Sequence, residues 1–275
     1  MKRSPLGRWT RTVVLWLASM AFLLPFAWML SASFKPDLEV FDVPPRWIPE
    51  NPTLGNFAEI WAGEQSIARY FLNSILVSAV CVTGDLLTSS LAGYGFARFA
   101  SRARDRVFGF YLATAIVPGQ LLLIPRFLLF RQLGLYDTLW ALILPGVFTV
   151  FGTFLMRQAF VDLPADFGEA ARLDGAGEFT IFWRIYLPLV RPMLAALAII
   201  SFVSSWNDFE TPLVMLSTES LYTLPLGLTQ FIDADGGLSA GLAMAAGVSA
   251  LVPVALVVIL FQRQFISAMT MSGLK

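Results

Sequence analysis

Long apolar runs separated by polar connections dominate the chain. They cover about Val13 to Ala32, Phe71 to Phe96, Val107 to Leu129, Thr138 to Met156, Pro192 to Leu216 and Leu242 to Phe261. Each is long enough to cross the roughly 30 Å hydrocarbon layer of a bilayer as a helix, which takes about 20 residues. No stretch alternates with period two over the length of a set of barrel strands, so a closed β-barrel is disfavoured. The pattern predicts an all-α membrane protein with six transmembrane helices. Lys2, Arg3, Arg8 and Arg11 ahead of the first run resemble the start of a secretory signal. The run itself is longer than a signal core and reads as an uncleaved first span.

Composition agrees: 57% of residues are apolar and 14% charged, against roughly 25% charged in soluble domains. The net charge is zero and the basic residues are scattered, so nothing points to nucleic acid. There is no histidine, and the single cysteine, Cys81, lies inside an apolar run, which leaves neither a disulfide framework nor a soft metal site. The 20 glycines and 16 prolines fall in or beside the runs, where membrane helices tolerate them as kinks.

Lysine and arginine set the orientation, because cytoplasmic connections carry the excess. With the N-terminus inside, 14 of the 19 basic residues are cytoplasmic and 5 (Lys35, Arg46, Arg69, Arg126, Arg131) face outward. Both termini are therefore expected in the cytoplasm, with a cytoplasmic N-terminus at 1–12, a six-helix membrane domain at 13–266 and a cytoplasmic tail at 267–275. Two outer segments are long. In the first, about Phe34 to Tyr70, "VPPRWIPENPTLGNF" should be extended and "FAEIWAGEQSIARYF" suits an interfacial amphipathic helix. In the second, about Ser217 to Gly241, Asp233, Asp235 and two glycines mark a turn.

One inner connection, about 158–191 between helices 4 and 5, is long and structured. Pro164 suits a first helical position, Asp166 and Glu169 place negative charge near the positive end of the helix dipole, and Gly175 suits a C-terminal stop. A helix from about Pro164 to Asp174 is expected, with Phe167, Ala170, Ala171 and Asp174 on one face. A second should run from about Glu178 to Tyr186 and end against Pro188. From the pattern alone, the pair is either a lid on the lipid surface or a docking element.

The spacing "EAA", Gly175, Ile185, Leu187 and Pro188 resembles the signature loop of ATP-binding-cassette importer permeases. "SFKP", "NPTLGNF", "YFLNS", "AGYGFAR", "LGLYDT", "ALILP", "LPLVRP", "WNDF" and "TLPLGL" extend the resemblance along most of the chain. They are similar to the carbohydrate-uptake type, in particular the second membrane subunit of maltose transporters. The resemblance implies that the inner loop docks on a cytoplasmic ATPase through Glu169, Ala170, Ala171, Asp174 and Gly175. It further implies a second homologous permease subunit, two ATPase subunits holding ATP and Mg, an extracytoplasmic substrate-binding protein, and a bacterial or archaeal plasma membrane. The chain itself has no G-x-x-x-x-G-K-[ST] phosphate loop.

Polar residues at membrane depth are the remaining candidates. Asp85 is either a structural partner or a functional group, and Asn73, Thr83, Thr88, Ser89 and Ser90 suit interhelical hydrogen bonds. In "SSWNDFETP", Trp206 offers a face for a sugar ring while Asn207 and Asp208 suit hydroxyls; the alternative is an interface anchor with two bridging polar groups. Glu210 departs from the family pattern and suits either an amine on the cargo or a pair with Arg126 or Arg131. The arginines at 98, 102, 104 and 106 either set topology at anionic headgroups or touch the ATPase. The expected function is a transport subunit without catalytic residues, importing a sugar-like solute. The alternatives are an ion-coupled secondary transporter acting alone and a permease for a non-sugar solute.

Overall fold

The computed structural model describes residues 5–63, 66–99, 101–231 and 240–272. Lys2, Arg3, Lys275 and the turn at Asp233 and Asp235 lie outside them. Among the described residues every regular element is helical. The chain divides into two compact units, one built from residues up to Ala68 with Leu228–Val252, the other from Arg69–Gly227 with the rest of the C-terminal helix.

The first unit begins with helix α1 (Pro5–Ala32). Leu15, Trp16, Leu17, Phe22 and Leu23 are all exposed, so apolar side chains surround the helix as lipid requires rather than forming one stripe. The chain then turns through the short α2 (Asp37–Val40), runs without regular structure and enters α3 (Gly55–Ala62). The expected amphipathic helix is shorter than its pattern, because Gly63 leaves α3 in an extended conformation while donating to the Glu59 carbonyl. Lys35 of "SFKP" is buried, donates to the Arg46 carbonyl and lies 4.3 Å over the Trp28 ring. Asn56 of "NPTLGNF" donates to the carbonyls of Ser33 and Lys35 at 3.0 and 2.8 Å. These two strings fold onto each other.

The second unit is organised around α4 (Ala68–Arg98). Its buried residues include Ser74, Ser78, Cys81, Asp85, Ser89 and Gly93, a stripe of small and polar groups at helical spacing. Small residues allow close approach where no hydrophobic force separates helices from lipid. At Gly93 a Cβ would stand 2.8 Å from the Arg157 backbone nitrogen. Asn73 donates to the carbonyls of Ser220 and Tyr222, and Thr88 to that of Val147. Thr83 and Ser90 instead bond carbonyls one turn back in their own helix, so they do not join helices.

Three predicted spans are interrupted. The third comprises α5 (Arg104–Ala113) with a 3₁₀ extension to Ile116, then a 3₁₀ turn from Gly119 leading into α6 (Leu123–Gln132), bent by 86°. The bend falls where Val117 adopts extended backbone before Pro118, which has no N–H to continue the ladder. The fourth divides into α7 (Trp140–Gly146) and α8 (Val150–Val161), where Thr149 caps α8 by accepting from Gly152 N–H at 3.0 Å.

The connection between helices 4 and 5 then forms α9 (Asp166–Leu173), α10 (Glu178–Ile181), a π-turn over Phe182–Tyr186 and α11 (Leu187–Leu189). Pro164 therefore stands before α9 rather than inside it. Pro188 does not end the second helix: the wide π-turn just ahead, with Leu187 N–H reaching the Phe182 carbonyl, accommodates the ring, and the 79° bend comes at Val190. The expected fifth run is α12 (Arg191–Trp206), a break at Asn207–Phe209 and α13 (Glu210–Met215); α14 (Leu224–Gly227) follows. Among the described residues four helical segments, Arg11–Ala32, Ala68–Arg98, Trp140–Val161 (α7 and α8 together) and Ala240–Gln264 of the C-terminal helix, are long and apolar enough to cross a membrane, or up to six if each bent pair is one span.

The α6–α7 and α13–α14 connections of this unit are pinned by Asp137, which has φ of +58°. Its carboxylate accepts from the backbone N–H groups of Ser217 and Thr218 at 2.8 and 2.9 Å and from the Thr218 hydroxyl. The Thr218 hydroxyl, then the two amides, hold the carboxyl below its ordinary range, at about 2.

Candidate functional site

Two constellations stand out in the second unit. The first is the elbow built on α9. Helix α9 ends as the sequence suggests: Gly175 has φ of +81°, and the bonds Gly175 N–H to Arg172 O and Ala176 N–H to Ala171 O, 3.0 and 2.9 Å, close a Schellman motif. Its exposed surface presents Phe167, Glu169, Ala170, Leu173 and Asp174. Ala171 does not share that face. It is buried with Gly168 one turn earlier, in a cluster containing Tyr94, Phe160, Ile181, Phe182 and Tyr186. Gly168 permits this contact, since a Cβ there would stand 2.7 Å from the Tyr186 Oη. Arg172 bridges to Glu178 at 2.7 Å, and Glu178 accepts from the Tyr94 hydroxyl of α4 at 3.1 Å. The helix is thus fixed from below and open above.

The second is a cavity of about 460 Å³ with a mixed polar and apolar lining. Asp85 of α4, Arg126 of α6, Thr149 at the α7–α8 break, Ser201, Ser204 and Ser205 of α12, and Asp208 and Thr211 beyond it contribute polar groups, against Val77, Leu142, Leu197 and Ile200. Asp85 is buried, and its Oδ1 accepts from the hydroxyls of Thr149 at 2.6 Å and Ser89 at 2.8 Å. The Thr149 oxygen therefore joins the carboxylate to the first turn of α8. Asp208 accepts from Thr211 N–H at 3.1 Å in the turn between α12 and α13. Carboxylates, a guanidinium and six hydroxyls, Thr223 included, can exchange hydrogen bonds with a polyhydroxylated solute.

A family described as "Binding-protein-dependent transport system inner membrane component" matches residues 86–271. The chain belongs to this family. This inner-membrane component is 34% identical over 276 residues to the arabinooligosaccharides transport system permease protein AraQ of Halalkalibacterium halodurans, covering 100% of this chain and 99% of that one. It is 34% identical over 261 residues to the lactose transport system permease protein LacG of Rhizobium radiobacter, covering 93% and 92%. Among solved structures, it resembles a bacterial ABC transporter involved in the import of the acidic polysaccharide alginate, with a TM-score of 0.83 and 25% identity over 96% of this chain and 99% of that one.

Asp85 and Asp208 of this membrane component meet at the cavity, but Trp206 and Asn207 do not line it. Trp206 is buried, with Phe202 stacked at 5.5 Å and Phe71 edge-on at 5.4 Å, so its ring faces are not open to a sugar. Asn207 is exposed and donates to the Val203 carbonyl one turn back. Glu210 is exposed and pairs with neither Arg126 nor Arg131 among the described residues. Thr149 and Gly168 went unmarked by the sequence. A threonine after an apolar helix and before a glycine is a capping signal, and a glycine three residues before an inward alanine marks a packing face.

Proposed function

We propose that the chain is one of two homologous permease subunits of an ATP-binding-cassette importer and forms half of the pathway for a carbohydrate or related polyol. Its family and the full-length likeness to sugar-system permeases support the class. The observation that carries the mechanism is the short, doubly braced helix α9 with an exposed face beside a buried underside. A stiff element transmits displacement that a loose loop would absorb. In this reading Glu169, Ala170 and Asp174 meet a cleft on the ATPase, Gly175 sets the turn behind them, and Ala171 anchors the helix to the bundle. Two ATPase subunits hold ATP and Mg, and an external binding protein delivers cargo.

Six spans would leave both termini on one side, which in this reading is the cytoplasm, with the elbow beside the ATPase. The 14-to-5 distribution of basic residues supports that orientation. Asp85 and Asp208 are the cargo-path residues that this reading retains, offering acceptors to hydroxyls in the cavity. Transport proceeds by alternating access, and no side chain makes or breaks a cargo bond. A secondary transporter working alone is disfavoured by relatives named as transport system permease proteins.

The deciding experiment reconstitutes the permease pair, ATPase and binding protein in vesicles and measures ATP-driven uptake. Glu169→Lys should abolish uptake while the two permease subunits still assemble. Unchanged uptake by that variant, or uphill transport by the permease alone, would overturn the reading.

A further inference from the structure

Arg98 closes α4 at the inner end of an apolar helix, next to Arg102, Arg104 and Arg106, and by position it belongs with residues that greet lipid headgroups. Its side chain turns the other way. Nη2 donates to the carbonyls of Phe160 at 2.6 Å and Leu163 at 2.7 Å, at and just beyond the C-terminal turn of α8, where helix carbonyls lack intrahelical partners. The guanidinium Cζ lies over the Tyr186 ring, 4.4 Å from its centroid. Its Nε is buried without an acceptor. A headgroup cation would keep every donor hydrated; this one leaves a donor unpaired to hold a fork on one side and a ring on the other.

Tyr186 is also the surface on which α9 rests, through Gly168, with no side chain between ring and backbone. One arginine thus touches the end of α4, the end of α8 and the support of α9. A parallel link runs from Arg172 through Glu178 to Tyr94, but its ion pair is largely exposed, and pairs of that kind contribute little.

We propose that Arg98, stacked on Tyr186, is the joint through which movement of α9 reaches α4 and α8. It is a positioning residue for coupling, and the proposal rests on α9 being the ATPase-docking element. Displacing α9 moves Tyr186, and the fork of Arg98 carries that displacement into two membrane helices together. Lysine cannot replace it, because an ammonium lacks both the planar face and the fixed pair of donors.

The test uses the reconstituted complex and reads solute imported per ATP hydrolysed. Arg98→Lys should lower that ratio about tenfold, an effect of the size found along coupling routes, while ATPase subunits still copurify. Tyr186→Leu should match Arg98→Lys. The double variant Arg98→Lys, Tyr186→Leu should be no worse than either single change. A wild-type ratio in Arg98→Lys overturns the joint, since a topological or headgroup cation tolerates lysine. So does simple multiplication of the two single effects, and if Arg98→Lys fails to assemble, a wild-type ratio in Tyr186→Leu decides against it. Ala170→Trp separates the two levels: it should release the ATPase, and its failure to do so sinks the docking reading and the joint with it.

Discussion

The Gly168 backbone lies directly on the Tyr186 hydroxyl, so close that a single methyl group at position 168 would stand 2.7 Å from the oxygen. Tyr186 is almost wholly enclosed and cannot withdraw. Gly168→Val should therefore lift α9 from its support, with an overpacking cost of about 1–3 kcal/mol. Uptake should fall more than tenfold, whereas Gly177→Val, where a Cβ meets nothing within 4 Å, should transport normally. Parallel uptake assays on the two variants check this.

Thr149 serves two partners, donating to Asp85 and accepting from the first turn of α8. Thr149→Val removes both bonds at similar volume and should cost about 2 kcal/mol. Thr149→Ser should restore most of it. Thermal unfolding in detergent measures the difference, and a valine variant as stable as wild type would show that the bridge between carboxylate and helix is idle.

The α4–α8 crossing depends on Gly93, whose Cβ position is occupied by the Met156 and Arg157 main chain. Backbone cannot yield as a flexible side chain can, so Gly93→Val should be more severe than the change at Gly168, at about 3 kcal/mol or more. Greatly reduced membrane yield, compared with Gly109→Val in open space, is the expected observation.

Asp137 gives a pH signature. Its folded-state carboxyl sits at about 2, below its unfolded value, so the stability it adds is present above about pH 4 and is lost as pH falls toward 2. Asp137→Asn tolerates the positive φ but loses the charge-assisted bonds. The unfolding midpoints of wild type and variant should differ at pH 6 and converge near pH 2. A constant gap across that range would contradict the assignment.

Membrane character and the C-terminal end of α9 were legible because each depends on local chemistry: apolar length for the spans, and Gly175 with its left-handed backbone for the stop. The 86° bend was less so. Pro118 marks a break, but its angle depends on what packs around Val117 and Gly119. Trp206 misled for a related reason, since an aromatic beside Asn207 and Asp208 suits a sugar site equally well until Phe71, far away in sequence, covers it. Arg98 was hidden by its neighbours; three arginines following it suggest a common role, and only the folded chain brings the Phe160 and Leu163 carbonyls within its reach. Asp85 stood out by burying a charge in an apolar run, yet its partner Thr149 lies in a separate helix pair.

The π-turn over Phe182–Tyr186 holds one residue more than an α-helical turn would need. Every helical residue advances the side-chain direction by about 100°, so a chain shortened by one position here would still be a helix but would aim Tyr186 away from Gly168 and Arg98. The surplus residue sets the phase of the elbow, and a one-residue deletion in this turn should silence transport without shortening any span.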